Sequence, residues 1–282
     1  MKLGKMKDIK NTNIIFWGTP DITLTYLNDL EQAGYNISAI ITLPDRPVGR
    51  KQIYTAPAPK LWAEERNILV LQPEKLDGNF EERLKSFDVD ISIVVAYGKI
   101  IPEKIINLPK KGTLNVHYSL LPKWRGATPV ESAILHGDTE TGVSIQNMVF
   151  KLDAGDIFAE EKIQLTGNEY REELRENLSV IGSKLLIQTL PGILDGSIIP
   201  KKQNEDFVTR AKILTKEDGQ INLSDDPKVL WQKWRAYFPW PGLFFFDESG
   251  KRIKITQARF EDRKFIIEKV IPEGKKETNW NK

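Results

Sequence analysis

The chain has 282 residues, of which 40% are hydrophobic and 28% charged, with a formal net charge of +2 and no cysteine. These proportions are typical of a globular protein with a buried core, and the lack of thiols excludes disulfides, thiol nucleophiles and thiolate metal sites. Because the sequence has only two histidines, 19 positions apart, we expect no metal centre. No apolar run approaches the roughly 18–20 residues that span a bilayer, and the basic start lacks the apolar stretch of a secretory signal. We therefore expect a cytoplasmic protein that does not contact a membrane.

The first half of the chain predicts alternating strands and helices. "NIIFWGTP" is typical of a short buried strand, "DITLTYLNDLEQAG" has helical apolar spacing, and "NISAIIT" follows as a second strand. This β-α-β unit implies a parallel sheet with right-handed crossovers. The alternation continues through "APKLWAEERN", "ILVLQ", "FEERLKSF", "VDISIVVAYG", "PEKIINL" and "GTLNVHYS". The sequence therefore predicts an α/β fold with a doubly wound, mostly parallel sheet.

The predicted sheet indicates where a ligand would bind. The turn after the first strand lacks the pattern G-x-G-x-x-G, so a dinucleotide site is not supported. Doubly wound folds nevertheless bind ligands beyond the carboxyl ends of their strands. In this sequence the rule indicates the turn at residues 18–20, the segment Ala96-Tyr97-Gly98, and the loop after His117.

The second half predicts two more strands, a long helix and a smaller C-terminal domain. The two strands are separated by the turn "DAGD", and "YREELRENLSVIGSKLLIQTLPGIL" has the pattern of an amphipathic helix. A polar, irregular stretch follows, and then a helix "PKVLWQKWRAY" and two strands, "KRIKITQARF" and "RKFIIEKVIP". We therefore expect a first domain over residues 1–198, a linker over 199–212, and a small β-rich domain over 213–282.

Charge is distributed unevenly between these parts. Residues 1–200 carry 23 Lys and Arg against 26 Asp and Glu, a net charge of −3, whereas residues 201–282 carry 18 against 13, a net charge of +5. A basic C-terminal part favours a polyanionic partner, although scattered surface lysines would give the same count.

Asn115 and His117 are the first candidate functional residues. Residues i and i+2 of a strand point to the same face, so these two polar side chains lie together while Leu114 and Val116 point the other way. Taken alone, the pair is also compatible with a buried structural histidine. Its position at the carboxyl end of a predicted parallel strand places it where the ligand should bind.

Asp153 is the natural third member of this set. It lies in the turn between two predicted strands, from which a carboxylate can reach inward, although Asp before a small residue and Gly is also ordinary turn chemistry. Asn and His can donate hydrogen bonds to a developing oxyanion, and Asp can orient the His or relay a proton. The set suits acyl transfer between two bound substrates without a covalent enzyme intermediate.

Several stretches of the sequence resemble the folate-dependent formyltransferases. The pattern Asn-x-His, then "SLLP", then a distant Asp in "LDAGDI" is similar to that family's signature. "FWGTPDI", "PDRPVGRKQIYTAPAPKLWAEERNILVLQPEKL", "VVAYGKIIP" and "GDTETGVSIQNM" resemble the members that act on methionyl-initiator tRNA, and the resemblance extends over about residues 13–250.

The resemblance implies a formyl transfer reaction and roles for particular residues. Asn115, His117 and Asp153 match the catalytic triplet of the family, for attack by the methionyl α-amino group on the formyl carbon of 10-formyltetrahydrofolate. Eight residues match segments that contact the folate: Ser119, Leu120, Leu121 and Pro122 after the catalytic strand, and Val95, Ala96, Tyr97 and Gly98, which line the pterin pocket through backbone groups.

The loop "LPDRPVGRKQIYTAPAP" is too long for a simple connection between a strand and a helix. Long loops without secondary structure are usually functional or disordered, and Arg46, Arg50 and Lys51 give this one a positive charge suited to phosphates. It also matches the insertion that tRNA-dependent members of the family place on the acceptor arm, with Arg50 as its key arginine. A solvated surface loop is the alternative.

The C-terminal part departs from the family. The family's OB-like β-barrel runs further than this chain, in which 22 residues remain after "GKRIKITQARF". We therefore expect a shortened β-rich version of that domain, in which closing a five-stranded barrel is difficult. Two alternative functions stay open: an N-formyltransferase acting on a nucleotide-linked amino sugar, and a noncatalytic module that binds folate or RNA. We expect a monomer.

Overall fold

The computed structural model describes residues 11–49 and 52–280. Its helices are α1 (Thr23–Gln32), α2 (Ala58–Glu64), α3 (Gly78–Lys85), α4 (Glu103–Ile106), α5 (Pro129–His136), α6 (Arg171–Leu194) and α7 (Pro227–Tyr237). The strands up to the middle of the chain are β1 (Asn13–Gly18), β2 (Asn36–Ile41), β3 (Arg46–Val48), β4 (Ile53–Thr55), β5 (Leu69–Leu71), β6 (Ile91–Val95), β7 (Thr113–His117) and β8 (Arg125–Gly126). The remaining strands are β9 (Glu140–Asn147), β10 (Ile157–Gln164), β11 (Arg210–Ala211), β12 (Phe244–Phe246), β13 (Arg252–Glu261), β14 (Lys264–Pro272) and β15 (Thr278–Asn279).

A mostly parallel sheet forms the centre of the fold. Across the described residues it has seven strands in the order β10-β9-β7-β6-β1-β2-β5. Strand β1 pairs in parallel with β2 and β6, β2 pairs in parallel with β5, and β6 pairs in parallel with β7, whereas β9 runs antiparallel to β7. The prediction of a doubly wound, mostly parallel sheet is therefore confirmed. The antiparallel pairing of β9 places its carboxyl end away from the edge where β7 ends.

Strand alternation divides the core between the two faces of this sheet. Ile15 and Trp17 of β1 belong to a buried apolar cluster with Phe80 and Leu84 of α3 and Ile105 of α4. The alternate residues of β1 point to the opposite face, where Ile14 and Phe16 are fully buried. A strand that is apolar on both sides needs helices on both sides, which explains the unbroken apolar run in its sequence.

Helix α6 lies close to α1 because a glycine stands at their contact. A β-carbon on Gly182 would lie 2.3 Å from the hydroxyl oxygen of Tyr26 and 3.1 Å from a methyl group of Val143. Next to it, the Ser183 hydroxyl donates to the Asp29 carboxylate at 2.6 Å. The small residue and the hydroxyl together fix the position of the long helix against α1.

The described chain divides into two compact units that interleave along the sequence. The first comprises the described residues within 1–125, 142–162 and 176–208, and the second comprises those within 126–141, 163–175 and 209–282. The central sheet belongs largely to the first unit. The linear division at residues 198 and 213 stays a prediction, because compactness and sequence order separate the chain differently.

The second unit holds an antiparallel sheet. Its described strands lie in the order β12-β13-β14-β15, with long pairing between β13 and β14. No pairing between β12 and β15 occurs in the described part of the chain, so these strands form an open sheet and not a closed barrel. This agrees with the expectation of a shortened β-rich domain. Helix α7 begins at Pro227 because the side chain of Asp226 accepts hydrogen bonds from the Lys228 and Val229 backbone amides.

The second unit also has a buried ion-pair network. Glu131 of α5 is 3% exposed, and its carboxylate accepts a hydrogen bond from Arg175 at 2.8 Å. Arg171 lies 3.8 Å from the same carboxylate oxygen and donates to the Trp240 carbonyl at 2.6 Å. These contacts connect α5 and the first turn of α6 to the segment after α7.

Helix α5 and strands β3, β4 and β12 do not follow from the sequence pattern. Helix α5 is short and its residues are nearly all buried, so it lacks the polar face that indicates an amphipathic helix. The long charged loop contains an antiparallel pair, β3 and β4, where the pattern predicts no regular structure. Strand β12 lies in an aromatic run without alternation. No helix in residues 11–49 and 52–280 is long and apolar enough to cross a membrane.

Candidate active site

The register between β7 and β9 assembles the candidate site. Asn115 lies opposite Gln146, and His117 lies opposite Ser144. Residues that face each other across an antiparallel pair project to the same side of the sheet, so all four polar side chains share one face. The prediction that Asn115 and His117 lie on one face at the end of β7 agrees with this register, and β9 adds two residues that the sequence did not indicate.

The Asp153 carboxylate lies among these side chains. One of its oxygens, Oδ1, accepts hydrogen bonds from Asn115 Nδ2 at 3.2 Å and from Gln146 Nε2 at 3.0 Å. The other, Oδ2, lies 3.7 Å from His117 Nδ1. The three residues that the sequence placed in one set therefore occupy one cluster, although His117 and Asp153 are 36 positions apart along the chain.

Both ring nitrogens of His117 face oxygen atoms. Nε2 lies 2.9 Å from the backbone carbonyl oxygen of Trp124, and Nδ1 faces Asp153 Oδ2. Because a carbonyl oxygen only accepts, Nε2 carries the N–H that bonds to Trp124, whereas the distance from Nδ1 to Asp153 Oδ2 is longer than a hydrogen bond. The ring is 6% exposed, so its orientation is set by these two oxygens and by the surrounding protein. Trp124 itself has a positive φ of 59°.

The turn that carries Asp153 is tightly held. Asp153 has a φ of 49°, a left-handed conformation that Asp tolerates better than most residues. A β-carbon on Gly155 would lie 1.6 Å from the carbonyl oxygen of Asn147, so only glycine fits there. The Gly155 amide donates to Gln146 Oε1 at 3.2 Å. Gln146 thus holds both the carboxylate of Asp153 and the backbone two residues later.

A second glutamine holds the same turn from its backbone side. Gln203 Nε2 donates to the carbonyl oxygens of Asp153 and Gly155, and its Oε1 accepts from the guanidinium of Arg125. Sequence patterns single out neither Gln203 nor Arg125. Arg125 lies three residues after the "SLLP" segment and Gln203 lies in the predicted linker, and no spacing rule connects such positions.

The segment after β7 is held by hydrogen bonds between side-chain hydroxyls and backbone groups. The Ser119 hydroxyl donates to the Lys123 carbonyl at 2.6 Å, and the Leu121 amide donates to the Ser144 hydroxyl at 3.0 Å. Ser119 and Leu121 are buried, and Leu120 and Pro122 are partly exposed. Of the four residues in this segment that are expected to contact folate, only Leu120 and Pro122 therefore have partly exposed side chains.

The segment after β6 presents its backbone. Ala96 and Gly98 are exposed and both have positive φ, 47° and 91°, whereas Val95 and Tyr97 are buried. The Tyr97 ring packs against Trp17 with centroids 5.1 Å apart, and burial raises the pKa of the Tyr97 hydroxyl to about 12. The Tyr97 carbonyl accepts a hydrogen bond from the Thr19 hydroxyl at 2.8 Å. A ligand at this loop would meet main-chain groups and not the phenol.

The positively charged loop is described in part. Arg46 is exposed and donates to Glu74 at 3.1 Å. Arg50 and Lys51, the other two residues expected to contact tRNA, lie outside the described residues. Among the residues that the structure describes, no group of three or more His, Asp or Glu is arranged to hold a metal ion.

Comparison with known proteins identifies the class of protein that this sheet and polar cluster define. A family model described as "Formyl transferase" matches residues 11–190, and one described as "Formyl transferase, C-terminal domain" matches residues 213–280. The chain belongs to the formyl transferase family. It is 43% identical over 254 residues to the methionyl-tRNA formyltransferase of Listeria innocua, a match that covers 90% of this chain and 81% of that protein.

Solved structures share the fold. A methionyl-tRNA formyltransferase from Clostridium thermocellum matches with a TM-score of 0.62 and 18% identity, over 93% of this chain and 98% of that one. A sugar N-formyltransferase from Shewanella matches with a TM-score of 0.68 and 14% identity, over 87% and 97%. HypX from Aquifex aeolicus in complex with tetrahydrofolic acid matches with a TM-score of 0.69 and 15% identity, over 94% of this chain and 45% of that one.

Proposed function

We propose that this chain is an enzyme that transfers the formyl group of 10-formyltetrahydrofolate to the α-amino group of methionyl-initiator tRNA. The observation that carries the proposal is the cluster of Asn115, His117 and Asp153 at the carboxyl end of β7, in a chain of this family. The choice of tRNA as acceptor is supported by the sequence identity to the Listeria innocua protein.

The reaction needs a group that accepts a proton from the attacking amine. As the amine nitrogen bonds to the formyl carbon, its proton passes to the Asp153 carboxylate, which lies between Asn115 and His117. The carbon–N10 bond then breaks and N10 takes up the proton, so that tetrahydrofolate leaves and the formyl group stays on the amine. No covalent bond to the enzyme forms at any step.

Asn115 and His117 stabilise the charge that develops on the formyl oxygen. The Asn115 amide has two N–H donors, of which one goes to Asp153 and the other can go to substrate. Since Nε2–H of His117 donates to the Trp124 carbonyl, the N–H that His117 can offer to substrate is at Nδ1 of the protonated ring, which also supplies a positive charge. Donors that are fixed before the reaction begins lower the barrier because no reorganisation is needed as charge develops.

Folate is expected to bind at the loops that end β6 and β7. The exposed backbone at Ala96 and Gly98 suits hydrogen bonds to the edge of a pterin ring, and Leu120 offers partly exposed apolar surface for a flat ring. Both loops lie at carboxyl ends of neighbouring parallel strands, where doubly wound folds bind ligands.

The fold does not distinguish this function from its alternatives. A sugar N-formyltransferase and a methionyl-tRNA formyltransferase match the described structure about equally well. Three features favour tRNA: the identity to a methionyl-tRNA formyltransferase, the insertion with Arg46 and Arg50, and the net charge of +5 over residues 201–282. The intact polar cluster argues against a noncatalytic binding module.

A direct assay tests the proposal. Purified chain and 10-formyltetrahydrofolate are offered methionyl-initiator tRNA, methionyl-elongator tRNA and a nucleotide-linked amino sugar in separate reactions. We expect rapid formylation of the initiator tRNA only. Formylation of the sugar alone would establish the alternative enzyme, and no turnover with any acceptor would favour the binding module.

We expect Arg50→Ala to raise KM for charged initiator tRNA by about tenfold or more, because a charged hydrogen bond to phosphate contributes roughly 1.5–3 kcal/mol. KM for 10-formyltetrahydrofolate should stay within about twofold. Steady-state kinetics with each substrate varied in turn measures both values. Lys60→Ala removes a lysine ten positions further along the chain that is paired with Asp45, and it serves as the control. An unchanged KM for tRNA would contradict the role assigned to Arg50.

The proposed enzyme acts in the cytoplasm, where initiator tRNA is charged and used. A second proposal is that it acts as a monomer. Light scattering on the purified chain tests the second point. A mass near 32.3 kDa is expected, and a mass of twice that value would contradict it.

A further inference from the structure

The amide of Gln203 has all its hydrogen-bonding groups matched. Nε2 donates to the Asp153 carbonyl at 2.9 Å and to the Gly155 carbonyl at 2.7 Å. Oε1 accepts from Arg125 Nε at 2.9 Å and from Arg125 Nη2 at 2.8 Å. A primary amide has two N–H donors and an oxygen with two lone pairs, so this position uses the full set. A carboxylate has no donor for the two carbonyls, and an apolar side chain has neither group.

Arg125 is a charged residue at a buried position. Its side chain is 1% exposed, yet its carboxylate partner, Glu205, is 60% exposed. The Arg125 guanidinium and Lys151 together lower the pKa of Glu205 to about 2, so Glu205 stays charged beside it. Within the described residues, Arg125 Nη1 has no hydrogen-bond partner. Burial of a guanidinium with incomplete pairing is unfavourable for stability.

The geometry connects this pair to the carboxylate of Asp153. The Asp153 backbone has a positive φ of 49° and needs external contacts to hold that conformation. Gln146 contacts the carboxylate and the Gly155 amide, whereas Gln203 contacts the carbonyls of Asp153 and Gly155. The two glutamines therefore fix the turn from its two sides. A charged donor on Gln203 Oε1 also polarises the amide and strengthens its N–H groups as donors.

We infer that Gln203, held by the buried Arg125, is a positioning residue that sets the direction of the Asp153 carboxylate toward Asn115 and His117. Gln203 lies far from these residues in sequence. Its side chain contacts only the backbone carbonyls of the turn. Its effect on the reaction therefore passes through Asp153. The inference rests on the proposed formyl transfer activity, which is measured first on the unaltered chain.

Two substitutions of Gln203 separate positioning from packing. Gln203→Glu keeps an acceptor for Arg125 but places an oxygen against the two carbonyls, whereas Gln203→Leu removes both contacts. Gln164→Leu, at an exposed glutamine of β10, is the matched control. We expect both Gln203 variants to lower kcat by about 10–100-fold with KM for either substrate within about threefold, because small misplacements of reacting groups reduce rate strongly. The control should match the unaltered chain.

A double-substitution cycle tests whether the effect passes through Asp153. In an Asp153→Asn background, measured in single turnover at high enzyme concentration, Gln203→Glu should change the rate by less than about twofold. An equal loss in both backgrounds would overturn the inference, as would a Gln203→Glu variant with unaltered kcat. If the unaltered chain fails to formylate any acceptor, the proposed function is wrong. An active chain with insensitive Gln203 variants means that only the positioning role is wrong.

Discussion

Asp153→Asn is expected to lower kcat for formyl transfer by about 10³-fold or more while leaving the fold unchanged. Asn has nearly the same shape as Asp, and its amide oxygen can still accept from Asn115 and Gln146. It cannot accept the proton that the attacking amine releases, and general acid–base groups contribute roughly 10²–10⁴-fold to rate. His117→Ala should cause a loss of similar size, because it removes a donor to the oxyanion and the group that faces Asp153 Oδ2.

Rapid-quench measurement of a single turnover checks this prediction, with circular dichroism to confirm the fold. Asp88→Asn, at a carboxylate that is 76% exposed, is the matched control and should keep full activity. Because the two residues act as a unit, the variant with both substitutions should be little slower than either single variant. Near-normal kcat in either single variant would show that the cluster does not carry out the reaction.

The sequence predicts this cluster because two simple rules apply to it, one for the side chains of a strand and one for the ligand-binding edge of a parallel sheet. Strand alternation places Asn115 and His117 on one face, and the position of β7 in a parallel sheet places that face at a ligand-binding edge. Asp153 could be added because turn residues carry side chains inward at strand ends. These inferences need only the period of a strand and the order of elements along the chain.

The residues that hold the cluster follow from longer-range geometry. Gln146 is found only when the β7–β9 register is known, since a shift of one residue would turn it to the other face. Gln203 and Arg125 meet because two segments far apart in sequence approach each other, and no local pattern encodes that. Helix α5 is also not predicted from local sequence. Because it is buried on nearly all sides, its sequence lacks the polar face that indicates an amphipathic helix.

For the charged loop the situation is reversed, because its sequence indicates a function that its local contacts do not. Its charge and length predict a function, and sequence favours tRNA phosphates as the target. The described part contains the antiparallel pair of β3 and β4, and Arg46 forms an exposed ion pair with Glu74. Exposed pairs of this kind contribute about 0–1 kcal/mol, so phosphate can readily replace Glu74 as the partner of Arg46. The kinetic effect of Arg50→Ala therefore decides more about this loop than its local contacts do.

Gly155→Ala is expected to lower both stability and activity, because the added methyl group has no space. The new β-carbon would lie 1.6 Å from the Asn147 carbonyl oxygen and 2.8 Å from its carbon. Asn147 cannot move away easily, since it pairs with Leu114 of β7 and its amide donates to the Asp156 carbonyl at 2.8 Å. The turn must shift instead. Forced overpacking of this kind costs about 1–3 kcal/mol of the free energy of unfolding, and occasionally more.

The same shift should reduce kcat by about 10²-fold, because Asp153 lies two residues from Gly155 and a displacement of roughly 1 Å reduces catalysis by that factor. Thermal unfolding and kcat are measured on the same preparation. Gly78→Ala is the matched control: its β-carbon would meet nothing within 4 Å, and it lies at the start of α3, where Ala is favourable. A Gly155→Ala variant with normal stability and normal kcat would show that the turn can rearrange without moving the carboxylate. In that case neither Gln146 nor Gln203 could be holding Asp153 in a single position, since both contact Gly155 directly.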